Sequence, residues 1–504
     1  MKTRATATLR GEALIDDSTR NSTKRQLTPW MIGVGIVTFL AGLLFGYDQG
    51  VISGALPLLK EALDLSTFEG EVITSWVTLG ALFGALVAGG TADKIGRRWT
   101  AVAAGVLFAA GALIETVSPG AGLLTVGRVV TGLGVGFASV VAPLYAAEMA
   151  PKRLRGRFVS TYQLAITVGI FLAYLADDAL TSSDRWRLMF GLAVIPGVAL
   201  VIGFLVMPES ARWLLKVGRR DDAKASLVKV DGPGVADAEL ATLKADSDAE
   251  AREGEASWGE VFSPTLRRAL WVGVGLAILQ QVTGINAIIY YANEIFAKAG
   301  FTTAEEQAKA TLYAVGAVNV LATFFAVAWV DRFGRRPLLL SGLVGMGVSL
   351  AAVGISFAAL ANEPAGTTST TVGGIVTVIS LVVFIASFAF SMGPIVWTLI
   401  SEIYPNRVRG RAISVATAVN WLAAFLVAQF FLSIVDAIGE STTFFLLAAL
   451  CVVSLVFVRR LVPETKGRSL EEIQKRWVLG GDKMIEEEED RTTLISDTPI
   501  RADV

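Results

Sequence analysis

Histidine is absent from the 504 residues of this chain, and Cys451 is its single cysteine. The lack of histidine excludes imidazole as a metal ligand or proton relay, so proton exchange near neutral pH must fall to a carboxylate in an unusual environment. A single cysteine excludes an intrachain disulfide and a cysteine metal cluster. We therefore expect no metal site and no cofactor.

Charge is also scarce, because charged residues make up 18% of the chain and leave a formal net charge of −1. Without a basic excess, nucleic acid is not an expected partner. Hydrophobic residues make up 53%, and the mean hydropathy is +0.58. Many apolar runs reach the roughly 20 residues that a helix needs to cross a bilayer. This composition predicts an all-α integral membrane protein surrounded by lipid.

The apolar runs predict twelve transmembrane helices, six on each side of a polar stretch. The predicted spans lie near residues 31–58, 72–91, 99–118, 122–147, 158–180, 187–207, 269–292, 309–330, 337–361, 372–400, 411–435 and 442–462. The implied domains are a tail over 1–28, a six-helix bundle over 29–208, a linker with short helices over 209–268, a second bundle over 269–465 and a tail over 466–504. The first tail has no pattern of a cleaved signal peptide.

The loops separate by charge. Basic loops at 93–98, 152–157, 331–336 and 407–411 would share one side of the membrane with both termini. The opposite side would carry acidic residues, namely Glu61, Asp64, Glu69, Glu71, Asp177 and Asp178. Because basic loops remain inside the cell, we predict a multi-pass protein of the cell membrane with cytoplasmic termini and a cytoplasmic linker.

Several short motifs occur once in each half of the chain. Asp93 and Asp331 each begin an Asp-x-x-Gly-Arg-Arg sequence, and the Pro-Glu-Ser at Pro208 returns as Pro-Glu-Thr at Pro463. A parallel repeat of six-span halves is typical of two-bundle transporters, whose substrate site lies near mid-membrane between the halves. The second half holds extra residues after its first motif, and residues 361–371 are the natural place for a longer outer loop.

The acids and arginines of these repeated motifs are candidates for a cytoplasmic gate. They can pair between neighbouring helices and close the inner face in one state, since a network of pairs matters more than isolated exposed pairs. The alternative is ordinary membrane-flanking charge. The candidates are Asp93, Arg97, Arg98, Glu148, Arg155, Glu209, Asp331, Arg335, Arg336, Glu402, Arg409 and Glu464.

Asp48 is an acid inside an otherwise apolar helix. An ionised carboxylate at that depth costs roughly 2.5–3.5 kcal/mol on insertion scales, so it points to a protein that moves charge. Arg128 on the fourth span is the best candidate partner. At a rise of about 1.5 Å per residue, Asp48 lies about 16 Å and Arg128 about 9 Å below the outer surface, and a long arginine side chain can bridge that difference. The predicted proton-coupling pair is therefore Asp48 and Arg128. The alternative is that both side chains extend to the outer interface.

The other polar residues inside predicted spans are uncharged. Amides offer donors and acceptors without charge, and an indole adds an apolar face with one donor. This mixture suits a neutral monosaccharide or polyol, although any single amide could simply join two helices. An ideal helix would spread the polar residues between Gln280 and Tyr291 around its circumference, so we expect a broken segment there. The residues concerned are Gln163, Gln280, Gln281, Asn286, Asn319, Asn420 and Gln429, with Trp397 and Trp421.

The motifs together resemble the sugar-porter branch of the major facilitator superfamily over about residues 30–475. The resemblance rests on the paired Gly-Arg-Arg loops and on the segments 45–48, 162–169, 208–213, 280–286 and 463–467, and it is greatest to bacterial galactose–proton and xylose–proton symporters. It implies two pseudo-symmetric six-helix bundles. It also implies that Phe45 and Tyr291 shape the pocket, and that the sugar contacts Gln163, Gln280, Gln281, Asn286, Asn319, Gly393, Trp397 and Asn420. Ala424 departs from relatives that carry an amide there, which leaves the particular sugar open.

The resulting prediction is proton-coupled symport of a monosaccharide, such as glucose, galactose or xylose, into the cytoplasm by alternating access. The alternatives are a myo-inositol–proton symporter, an uncoupled sugar facilitator and a sugar sensor that has lost transport. The short tail after Pro463 argues against the sensor. We expect no enzymatic activity and a protein that functions as a monomer.

Overall fold

The computed structural model describes residues 28–151, 155–253, 257–361 and 372–466. The two predicted tails and the predicted outer loop before residue 372 therefore lie outside the described residues, apart from their edges. The described residues contain twelve helical spans long and apolar enough to cross a membrane. Their number and order confirm the all-α membrane fold predicted from composition.

The helices of the first half are mostly continuous. They are Pro29–Leu63, Thr67–Ile95, Arg97–Val117, Ala121–Met149, Arg155–Thr181 and a sixth span divided into Trp186–Gly191 and Val194–Val206. The second half contains Arg267–Val282 with Ile285–Tyr290 and Ala292–Lys298, then Ala304–Ala310 with a π-helical Thr311–Ala317 and Val318–Phe333. It ends with Arg335–Leu360, Val372–Phe390 with Met392–Glu402, Asn406–Ile438 and Glu440–Leu461.

Local sequence sets the ends of the first two helices. Thr28 caps the first helix by accepting a hydrogen bond from the Met31 amide, and Pro29 occupies its first turn, where no amide donor is needed. This helix runs five residues beyond the predicted end and stops at Asp64, which adopts a left-handed conformation with φ 50°. Ser66 and Glu69 form a capping box at the start of the second helix.

The second half has interrupted helices where polar residues cluster. The seventh span breaks after Val282, and Gly284 adopts φ 94°, a value that disfavours residues with a Cβ. A short helix follows over Ile285–Tyr290. This confirms the break predicted between Gln280 and Tyr291, and it turns the amides of two helical segments toward one another.

Glycines of the first helix bring it into backbone contact with the fifth. A Cβ on Gly42 would lie 2.5 Å from the Tyr162 carbonyl oxygen, and one on Gly46 would overlap the Ile166 carbonyl. Close approach through small residues is the usual way in which membrane helices associate. It fixes the rotation of the first helix and with it the direction of Asp48.

Four short helices connect the two halves, as predicted for the linker. They are Ala211–Lys216, Arg220–Asp231, Pro233–Glu253 and Trp258–Val261. The first is tied to the second span, because the Trp213 indole donates to the Asp93 carbonyl at 2.9 Å and Lys216 pairs with the Asp93 carboxylate at 3.2 Å. Arg407 of the eleventh span pairs with Glu260 at 3.0 Å. The linker thus contacts both halves on the side of the termini.

Candidate functional site

Asp48 and Arg128 form an ion pair inside the first bundle. Arg128 Nη1 lies 2.5 Å from Asp48 Oδ1, and Arg128 Nε donates to the Ile73 carbonyl at 3.1 Å. Arg128 is 0% and Asp48 3% exposed. Neither side chain extends to the outer interface, so that alternative is wrong. Within the described part of the chain, the Asp48 carboxylate is hydrogen-bonded to Arg128 alone, and protonation of the acid would replace that pairing.

A second carboxylate, which sequence reasoning missed, faces the same arginine. Glu115 Oε1 lies 3.9 Å from Arg128 Nη1 and accepts a hydrogen bond from Thr131 Oγ1 at 2.8 Å. Glu115 is 1% exposed. The available signal was an acid within an apolar run, as for Asp48, but Glu115 lies near the predicted end of its span and so reads as a surface residue.

Four of the predicted sugar-binding amides form one hydrogen-bonded cluster in the second half. Asn286 donates to Gln281 at 2.8 Å, and Gln281 donates to Asn420 at 3.2 Å. Asn420 donates in turn to Gln280 at 2.9 Å, and Gln280 donates to the Met392 carbonyl at 2.8 Å. These bonds join the broken seventh span to the tenth and eleventh spans. We call these four residues the amide cluster.

Gln49 connects the amide cluster with the buried Asp48–Arg128 pair. It follows Asp48 in the chain, and its amide nitrogen lies 3.4 Å from Asn286 Oδ1 and 3.3 Å from the Tyr290 hydroxyl. Sequence reasoning did not single out Gln49, because a polar residue beside a buried acid gives no sign of which helix it faces. Gln49, which follows Asp48 on the first span, therefore contacts the second half of the protein.

The remaining predicted pocket residues surround this cluster less directly. The Phe45 ring lies 5.3 Å from that of Trp421, next to Asn420. Tyr291 is fully buried and donates to the Ala428 carbonyl at 2.6 Å. The Gly393 carbonyl lies 3.5 Å from the Gln280 amide. Phe45 and Tyr291 therefore both contact the eleventh span, which carries Asn420 of the amide cluster.

Three predicted sugar contacts make no hydrogen bond within the described part of the chain, namely Gln163, Asn319 and Trp397. The structure places Gln163 and Trp397 half-buried and Asn319 at 5% exposure. The polar atoms of all three keep some solvent contact. They remain available to a ligand, whereas the members of the amide cluster bond to one another.

The halves are joined at the span ends remote from the termini. Lys60 pairs with Glu294 at 2.7 Å, and Glu71 accepts the Ser433 amide at 2.7 Å and its hydroxyl at 2.5 Å. Further bonds on this side are Ser53 to Asn293, Thr67 to Asp436 and Ser75 to Gln429. We call these contacts the distal contacts. They close the protein on the side opposite the termini.

Two acids that we expected on the distal surface are buried. Glu71 is 0% exposed because it lies between the halves in the distal contacts. Asp177 is 2% exposed, and its Oδ2 accepts the Gly54 amide at 3.1 Å. A Cβ on Gly54 would overlap the Asp177 carboxyl, so the glycine makes room for it. Charge counting along the loops could not reveal either packing.

The predicted gate residues form a cluster in the first half. Arg97 pairs with Glu148 at 2.9 Å and with Asp93 at 3.0 Å. Glu209 accepts the backbone amides of Arg97 at 3.0 Å and of Arg98 at 3.1 Å, at the N-terminus of the third helix. Burial raises the pKa of the Glu209 carboxyl, and the amide hydrogen bonds only partly offset this.

The second half repeats this cluster. Arg335 pairs with Glu402 at 3.2 Å, and Glu464 accepts the Arg335 and Arg336 amides, both at 3.0 Å. Partial burial acts to raise the pKa of the Glu464 carboxyl, but the Lys466, Arg335, Arg336 and Thr465 amides outweigh it and lower that pKa. Each cluster joins helices of one half.

Three predicted gate arginines bind carbonyl groups instead of acids. Arg98 donates to the Phe204 and Leu205 carbonyls, Arg336 to the Arg459 carbonyl and Arg409 to the Tyr404 carbonyl. The carbonyls at a helix C-terminus lack intrahelical partners and carry partial negative charge, so they compete well for a guanidinium. The side chains of Arg155 and Asp331 lie outside the described part.

Comparisons with known proteins find similar transporters. The family model described as "Sugar (and other) transporter" matches residues 34–477. The chain is 39% identical to the galactose-proton symporter of Escherichia coli (strain K12), over 88% of this chain and 93% of that protein. It is 38% identical to the major myo-inositol transporter IolT of Bacillus subtilis (strain 168), over 88% and 93%.

A solved structure matches the whole fold. It is the partially occluded inward open conformation of the xylose transporter XylE from E. coli, with a TM-score of 0.75 and 29% identity. The match covers 88% of this chain and 100% of that chain.

Proposed function

The chain belongs to the sugar transporter family, the sugar porters of the major facilitator superfamily, and on that premise we propose that it carries a neutral monosaccharide into the cytoplasm together with a proton. It is thus a transporter rather than an enzyme. The basic loops beside the termini support a cell membrane location with cytoplasmic termini. Both halves of the site come from one chain, which supports a functional monomer.

One observation carries the proposal, namely the buried Asp48–Arg128 pair lying next to the amide cluster. Protonation of Asp48 removes its charge and frees Arg128, and Gln49 is the adjacent residue that touches Asn286. A change at the acid can therefore alter the contact between the halves. Charge at this depth is costly, which favours a role in moving protons over a purely structural one.

The chemistry of the pocket supports a neutral polyol as the substrate. The amide cluster offers donors and acceptors, Trp397 and Phe45 offer apolar surface, and Arg128 already pairs with Asp48. A carboxylate or phosphate substrate would call for a free cation there. The distal contacts support alternating access, because they close one side of the protein. The similar XylE structure, which is described as partially occluded and inward open, supports it as well.

The test is uptake by the purified protein in proteoliposomes. An inward proton gradient should drive accumulation of labelled glucose, and galactose, xylose and myo-inositol as competitors identify the preferred substrate. Asp48→Asn should abolish accumulation while sugar exchange without a gradient continues. Accumulation by Asp48→Asn under the same gradient would show that the coupling assignment is wrong. Strong competition by myo-inositol alone would favour the inositol alternative, as the similarity to IolT allows.

A further inference from the structure

Asp48, Glu115 and Arg128 form the proposed proton site, which contains more acid than base. Arg128 lies 2.5 Å from Asp48 and 3.9 Å from Glu115, and all three residues are at most 3% exposed. With both acids ionised, the site holds a net negative charge, and with both protonated it holds an unpaired cation. Either state buries an uncompensated charge, which is expensive. The site therefore favours states that hold one proton.

Glu115 is held in position by the packing of the third and fourth helices. A Cβ on Gly127 would lie 2.7 Å from Glu115 Cγ, so the glycine beside Arg128 leaves the space that Glu115 fills. Thr131 fixes the carboxyl by donating to Oε1 at 2.8 Å. Arg128 meanwhile has a spare donor, because its buried Nη2 makes no hydrogen bond in the described part.

On the basis of the proposed proton coupling, we propose that Glu115 is the alternate counter-ion of Arg128, which pairs with the arginine when Asp48 binds its proton. While Asp48 is ionised, Arg128 pairs with it through the 2.5 Å contact that the structure shows. When an O–H bond forms on Asp48, that pair is lost, and the guanidinium closes the 3.9 Å gap to the Glu115 carboxylate. The proton-loaded site is then electrically neutral.

The groups that face this site determine how it titrates. Asp48 comes from the first span, Arg128 and Thr131 from the fourth, and Tyr290 approaches the arginine from the seventh. Asp48 and Glu115 share one cation, so they titrate as a coupled pair and not as two independent acids. The negative charge of Glu115 favours proton binding at Asp48.

The first test is the pH profile of proton-driven uptake in Glu115→Gln. This change keeps the size of the side chain and an oxygen for Thr131 but removes the charge. We expect the pH of half-maximal uptake to move to the acid side by about one unit, because proton loading would then leave Arg128 unpaired. Asp177→Asn is the matched control, since it removes a buried acid that binds only a backbone amide, and it should not shift the profile. A wild-type profile in Glu115→Gln would overturn the proposal.

The second test measures thermal stability and needs no transport. Asp48→Asn leaves Glu115 to neutralise Arg128, and Glu115→Gln leaves Asp48, but the double variant leaves the cation alone. We expect the double variant to lose more in Tm than the two single losses combined, or to fail to fold where both single variants fold. Additive losses would mean that Glu115 is only a hydrogen-bond partner of Thr131.

The two proposals fail differently. If Asp48→Asn still accumulates sugar, the proposed proton coupling fails, whatever Glu115 does. If Asp48→Asn abolishes accumulation but Glu115→Gln keeps the wild-type pH profile and the stability losses add, only the alternate counter-ion fails. The stability measurement separates them because it reports charge pairing in the absence of sugar or gradient.

Discussion

Replacing Arg128 with leucine removes the cation around which the proton site is built. The side chain is fully buried and makes polar interactions with Asp48 at 2.5 Å, with the Ile73 carbonyl at 3.1 Å and with Glu115 at 3.9 Å. Breaking a buried ion pair by removing one partner costs about 3–5 kcal/mol, because the other charge stays buried without compensation. The loss of Arg128 leaves two buried acids, Asp48 and Glu115, without this cation.

Asp48 and Glu115 avoid the cost of a buried charge only when they are protonated. We therefore expect Arg128→Leu to bind protons without releasing them, since the ionised form of Asp48 has lost its stabilising partner. Proton-driven accumulation should be lost, while sugar exchange should persist and become insensitive to pH. The loss in unfolding free energy should be smaller than the full cost of a buried charge, because protonation relieves it. Arg128→Lys should keep part of the activity, since an ammonium supplies charge but not the fork of the guanidinium.

The assays are sugar exchange and accumulation in proteoliposomes over a range of pH, with thermal unfolding in detergent. Arg187→Leu is a suitable control, because Arg187 is an exposed arginine that donates to the Ser118 carbonyl at 3.1 Å, away from Asp48. Wild-type accumulation and an unchanged pH profile in Arg128→Leu would refute the reasoning. Asp48 would then exchange its proton without the arginine.

Two further predictions concern the predicted sugar contacts and the gate cluster of the second half. Gln281→Ala and Trp397→Ala should each weaken sugar binding to the purified protein by roughly five- to 150-fold, which corresponds to the cost of about 1–3 kcal/mol for an unpaired buried polar group. Gln307→Ala changes an amide outside the cluster and should bind sugar normally. Unchanged affinity in the Gln281 and Trp397 variants would mean that these two residues only contribute to packing. Four backbone amides outweigh partial burial and hold the pKa of Glu464 below its ordinary value of 4.5, so its stabilising contribution is present above pH 4.5 and is lost as the pH falls through the lowered pKa. Glu464→Gln should therefore lower Tm at neutral pH and approach the wild type in acid, and an equal loss of Tm at all pH values would contradict this.

The number of spans, the two-bundle repeat and the broken seventh span were predictable from the sequence. Hydropathy alone defines spans, because a bilayer demands about 20 apolar residues from each helix. Polar residues from Gln280 to Asn286 cannot share one helix face, which indicated the break. The pairing of Arg128 with Asp48 was predictable from their depths in the membrane, because a long arginine side chain can bridge the difference between them.

Contacts that depend on helix rotation were not predictable in the same way. Glu115 reaches Arg128 because Gly127 lets the third and fourth helices approach closely, and hydropathy carries no information about that rotation. Arg98 directly follows Arg97, which pairs with two acids, yet Arg98 binds carbonyls, as Arg409 does. The burial of Glu71 depends on how the halves meet in one conformational state, which loop charge cannot report.

The hydrogen bonds within the amide cluster set a condition on any sugar that binds there. Gln281, Asn286 and Asn420 already bond to one another, so a sugar hydroxyl gains net free energy only by replacing those bonds with better ones. Such an exchange favours modest affinity, which suits a transporter that must also release its substrate. Gln49 is the weakest member of the arrangement, with long contacts of 3.4 Å and 3.3 Å across the halves. Because Gln49 is the neighbour of Asp48, a sugar that draws Asn286 away would shift the helix that carries Asp48. In the proposed symport, the contact between Gln49 and Asn286 is thus a physical route by which sugar binding and proton binding can be coupled.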